Sequence, residues 1–92
     1  MDVEFDAAKD ETNRSKHGVS LEMAARLDWE TMITMPDTRR NHGEPRMIGF
    51  GTTDKRLHCV VFVHREDRVR VISLRKANQR EIRWYEKTKQ DH

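Results

Sequence analysis

The run Leu57-His58-Cys59-Val60-Val61-Phe62-Val63-His64 constrains this chain more than any other feature. Read as a strand, it sends Leu57, Cys59, Val61 and Val63 to one side and Val60 and Phe62 to the other. A strand apolar on both sides belongs in the middle of a sheet. Only 35% of the 92 residues are hydrophobic and 37% are charged, so one thin core must form around this strand. The apolar residues come in short runs with Trp, Phe and Ile recurring, which marks a folded domain of modest stability rather than a disordered chain. A stabilising partner fits that composition.

Three further runs read as strands: residues 31–35, 47–52 and 69–74. Thr53-Asp54-Lys55 and Glu66-Asp67 are tight turns, so strands two to four pair antiparallel. Gly49 and Gly51 alternate on one side of the second strand, where something must approach the backbone closely. Residues 38–45 have the polar composition of a loop tip. Val3-Glu4-Phe5 is a short extended stub. Asp6 caps a helix over residues 7–17 that Gly18 ends, and Ser20 caps a second over 21–27 or 21–29. The first helix has little apolar surface and is expected to pack through aliphatic stems. Asn78 with Glu81 three residues on forms a capping box for the last helix, which carries Ile82 and Tyr85 inward. The expected fold is α+β, a single domain over residues 1–92. It has two N-terminal helices, a four-stranded antiparallel sheet with one open face, and a C-terminal helix.

Several chemistries find no support. The histidines lack ligand spacing and no Cys-x-x-Cys exists, so no metal or cofactor is expected. Gly49-Phe50-Gly51 lies within a strand rather than before a helix, and Ser73 has no neighbouring base, which removes a phosphate loop and a nucleophilic triad. The single cysteine, Cys59, reads as a buried thiol, and a reducing cytoplasm fits it. No apolar stretch is long enough for a membrane span, and the N-terminus does not read as a signal peptide.

Charge is more informative. Residues 1–45 hold six Lys/Arg against ten Asp/Glu, and residues 46–92 hold twelve against six. Arg68, Arg70, Arg75, Lys76, Arg80 and Arg83 crowd the last strand and the start of the last helix. Such a cluster suits a polyanion, and nucleic acid is the commonest one. Arginine holds phosphate with a planar fork that stays cationic at cellular pH.

Phe5-Asp6-x-x-Lys9-x-x-x-Asn13-x-x-Lys16-His17-Gly18-Val19-Ser20 resembles the opening signature of BrnT toxins. Arg46-Met-Ile-Gly49-Phe resembles the family's second strand, and Arg70-Val-Ile72-Ser73-Leu-Arg75-Lys76-Ala77 with Arg80-Glu81 and Tyr85 resembles its closing signature. Leu21 stands where an aromatic is usual and Leu74 where alanine is common, which affects packing alone. The resemblance implies a RelE-like, cytoplasmic ribonuclease toxin of a type II toxin–antitoxin system that cuts RNA and arrests growth. Its implied partner is a BrnA-like ribbon-helix-helix antitoxin in a heterotetramer, which binds operator DNA through the antitoxin and represses its own operon.

RNA can be cut without metal when its 2′-OH attacks the adjacent phosphate, provided protein groups move protons and stabilise added charge. The candidates for charge stabilisation are Arg75 and Lys76. Those for proton transfer are His64, Glu81 and Tyr85, with His42 in the loop. Arg46, Arg80, Arg83 and Lys16 are candidates for holding flanking RNA. Asn13, Lys16 and His17 are read as fixing the first helix against the sheet, though Lys16 could also reach RNA. The competing reading is a module that binds RNA or a translation factor without cutting; a purely structural subunit ranks below it.

Overall fold

A computed structural model describes residues 1–39 and 43–91. In chain order the elements are β1 (Val3–Glu4), α1 (Ala7–His17), a 3-10 turn (Leu21–Arg26), β2 (Ile33–Pro36), β3 (Met47–Thr53), β4 (Arg56–His64), β5 (Val69–Lys76) and α2 (Gln79–Gln90). The sheet order is β1-β5-β4-β3-β2. β4 lies at its centre, as its two apolar sides require, with seven consecutive buried residues from Leu57 to Val63.

The architecture is α+β, with two corrections to the expected one. The sheet has five strands and not four, because the stub at Val3–Glu4 pairs parallel with Val69–Arg70 while all other pairs are antiparallel. The second N-terminal helix is 3-10, with Met23 N–H donating to Ser20 O and Leu27 N–H to Ala24 O. Leu21, Ala24 and Leu27 are buried and spaced by three, and three residues per turn aligns them, whereas Ala25 is exposed.

Capping follows the sequence. Asp6 accepts from Ala8 N and Lys9 N, Gly18 adopts φ +75° after α1, and Asn78 and Glu81 complete the capping box of α2. Asp54 and Lys55 both hold positive φ in the β3–β4 turn, the geometry of a two-residue hairpin. Gly49 and Gly51 lie under Met32; an added Cβ at Gly49 would collide with the Met32 sulfur.

Both faces of the sheet are covered, rather than one. Val60, Phe62, Val69, Val71 and Leu74 pack against Val19, Leu21, Ala24 and Leu27. On the other face Phe50, Leu57 and Cys59 pack with Ala77, Ile82 and Tyr85 of the α2 region. Each large side chain fully buried here contributes roughly 1.5–3 kcal/mol. Between Val61 and Phe62 the register with β5 slips from Ser73 to Val71, so Ile72 is an extra residue. This bulge lets Val71 and Leu74, three apart, enter the same core.

The one buried residue of α1 is polar, Asn13. The Asn13 amide accepts from Leu74 N–H (3.1 Å) and donates to Leu74 O (2.8 Å) and Val19 O (2.9 Å). β1 reaches only Val69–Arg70, and further along that edge Asn13 takes the place of a strand partner at Leu74. α1 therefore lies on the sheet edge, with its C-terminal turn beside β5.

Candidate active site

A groove opens on the α2 face where α1, β5 and the start of α2 meet. Its floor is apolar, formed by Met35, Ile48, Phe50, Cys59 and Val61. Its polar rim comes from four segments: Lys16 and His17 from the last turn of α1, Arg39 after β2, Ser73 and Arg75 from β5, and Glu81 from α2. Asn13 delivers Lys16 and His17 there, since it fixes the helix one turn earlier against Leu74.

Arg75 Nη1 and Nη2 donate to the two Glu81 oxygens at 2.8 Å each, a two-point fork that fixes the guanidinium plane. Nη1 also leans on Lys76 O at 3.4 Å. An arginine has five N–H donors, so this arrangement leaves two for a ligand. The Arg75 guanidinium holds the Glu81 carboxyl below its usual range, with help from the Asn78 backbone N–H, against an opposing effect of burial. Glu81 is thus an ionised partner, not a proton donor near neutrality. Arg39 is held similarly, with Nε and Nη2 donating to Asp37 at 2.8 and 2.9 Å. Each carboxylate raises the pKa of its arginine further. Burial pushes the Cys59 thiol up, so it lines the floor as a neutral, free thiol. Among the described residues, no group of three or more His, Cys, Asp or Glu is placed to hold a metal ion.

Of the residues singled out from sequence, the groove gathers Arg75, Glu81 and Lys16. Lys76 is exposed and paired with His58, on the opposite side of the pleat from Arg75, which pairs with Cys59. Tyr85 packs against the Phe50–Leu57–Cys59–Ala77 cluster, with Lys89 5.4 Å above its ring. His64 ends β4 with its ring edge-on to Phe62, the centroids 5.3 Å apart. It lies five residues from Cys59, about 17 Å along the strand. Arg46 precedes β3, where its backbone oxygen accepts from Asp37 N, and its Nε is buried without a hydrogen-bond partner among the described residues. Arg80 and Arg83 are exposed on α2. His42 lies outside the described residues.

The crowd of basic residues also divides. Arg70 pairs with Glu4 at 2.8 Å and Arg68 with Asp67 at 3.1 Å, which neutralises the far end of β5. The sequence reading missed Arg39, which fell within a loop, and gave His17 a structural part. The one local signal for His17 was its place immediately before the helix-ending Gly18.

A family model described as ribonuclease toxin, BrnT, of type II toxin-antitoxin system matches residues 5–81, a span that includes every groove residue. No individual curated protein matches the chain. Most of the chain is covered by that one family match, and the chain belongs to the BrnT family of ribonuclease toxins of type II toxin–antitoxin systems.

Proposed function

We propose that the groove cleaves single-stranded RNA without a metal ion, by attack of a 2′-OH on the adjacent phosphate. The observation that carries this reading is that Lys16, His17, Arg39 and Arg75 line one groove together with an apolar floor. Arg75, oriented by Glu81, meets the phosphoryl oxygens as negative charge builds on them, and Arg39 holds a neighbouring phosphate. His17 takes the proton from the 2′-OH, imidazole being the side chain suited to proton transfer near neutral pH. The O2′–P bond forms as the P–O5′ bond breaks, and Lys16 delivers a proton to the departing 5′ oxygen. The products are a 2′,3′-cyclic phosphate and a 5′-hydroxyl.

At the level of the cell, the reading is a cytoplasmic toxin of RelE-like fold that inhibits translation and growth. A BrnA-like ribbon-helix-helix antitoxin neutralises it in a heterotetramer, and that complex represses its own operon. The chain acts as a single domain. No helix among the described residues is long and apolar enough to cross a membrane.

Purified protein incubated with RNA in excess EDTA should generate cyclic-phosphate ends. Arg75→Ala and His17→Ala should each lower the cleavage rate by about 10²-fold or more while antitoxin binding and circular dichroism stay unchanged. Loss of cleavage in EDTA would remove the metal-free mechanism. A fully active Arg75→Ala protein would remove Arg75 from it, and RNA binding with no cleavage under any condition would mark a holding module instead.

A further inference from the structure

Trp84 is one of two large hydrophobic side chains left exposed among the described residues, the other being Met1 at the chain start. It does not line the groove itself but touches one residue that does. Its ring meets Phe50 edge-on with centroids 5.1 Å apart, and Phe50 belongs to the groove floor. Trp84 also follows Glu81 by three residues on α2, so the two side chains share a flank of that helix. Exposed Arg80 and Lys87, four before and three after Trp84, lie along the same flank. An indole that is 37% exposed, held edge-on by an aromatic and flanked along its helix by cations has the make-up of a base-stacking platform.

We propose that Trp84 stacks a nucleobase next to the scissile phosphate, with Arg80 or Lys87 on that nucleotide's phosphate, making α2 a subsite for unpaired RNA. This rests on the groove being the cleavage site, which it extends by one nucleotide position. Stacking on an indole needs a base free of its partner, so the subsite selects single-stranded over duplex RNA and tolerates any base identity. The cations favour a polyanion over an apolar peptide as the occupant of this flank.

The test uses full-length toxin with an RNA oligonucleotide carrying a 2′-deoxy sugar at the cleavage position, so that binding is read without turnover. Titration should quench tryptophan emission in the wild type and leave it unquenched in Trp84→Phe, whose remaining indole, Trp29, lies against Phe62 in the core. With cleavable RNA, Trp84→Ala and Trp84→Leu should raise KM on the order of tenfold with kcat little changed, whereas Trp84→Phe stays near wild type. Leucine keeps apolar contact with Phe50 but cannot stack, so an unaltered KM in Trp84→Leu overturns the proposal. Weakened antitoxin binding in these variants with unchanged KM overturns it too and assigns the flank to the antitoxin. If Arg75→Ala abolishes cleavage while Trp84→Leu changes nothing, the subsite fails and the groove stands; if neither changes cleavage, the groove itself fails.

Discussion

Asn13 is a buried amide on a helix that buries nothing else, and three hydrogen bonds end on it. Removing it would leave Leu74 N–H, Leu74 O and Val19 O without those partners in a dry environment, each costing about 1 kcal/mol or more. Asn13→Ala should therefore lose about 3 kcal/mol in urea unfolding, and its residual fold should be inactive, since Lys16 and His17 are positioned by the same contacts. A loss under 1 kcal/mol would mean that α1 is held elsewhere. The motif reading has Asn13 fixing the first helix against the sheet, and its bonds to Leu74 do so. His17 and Lys76 fall in places that their motifs do not announce: His17 lines the groove, and strand alternation sends Lys76 to the side opposite Arg75. Lys76 is next to Arg75 in the chain and across the pleat in space.

At the scale of elements, most of the molecule was legible. Caps, the hairpin turn and strands β3 to β5 follow from local chemistry that the fold does not override. β1 was not recognised because two residues cannot declare a strand; their pairing with Val69–Arg70 is supplied by the rest of the sheet. The 3-10 turn was missed because Leu21, Ala24 and Leu27 fit a period of three as well as one of 3.6. For α2, the sequence predicted the capping box but could not show that Glu81 also clamps β5 through Arg75. That double attachment has a pH signature. Glu81 is held below its usual value, so its contribution is full above about pH 4.5 and is lost as pH falls through the lowered folded value. Glu81→Gln keeps a capping side chain and removes the charge. With Arg75 partly exposed, the variant should be roughly 0.5–1 kcal/mol less stable at neutral pH. The two proteins should converge in denaturant titrations once the pH lies below the lowered folded value of Glu81. A gap that persists there would place the Glu81 contribution in packing. His58, whose ring burial lowers its pKa, makes both proteins lose stability as pH falls below its ordinary value near 6.5, and this loss cancels in the comparison.

Across the whole molecule, charge is distributed differently from the way it is along the chain. The acidic half supplies Lys16, His17 and Arg39 to the groove, and the basic half spends Arg68 and Arg70 on acidic neighbours. Net charge by segment thus pointed toward a polyanion without pointing to its place. One residue links the core layer to the groove layer. Count the alternation along β5 with Ile72 removed: Val71 and Leu74 still face inward, Ser73 and Arg75 still face outward. Only the wall under α1 changes, because Ile72 and Ser73 both border the space beside Lys16 and His17. A protein shortened by Ile72 should keep a cooperative melt and lose its nuclease. On the proposed reading, the extra residue serves the berth of the RNA, since the inward alternation of β5 runs equally well without it.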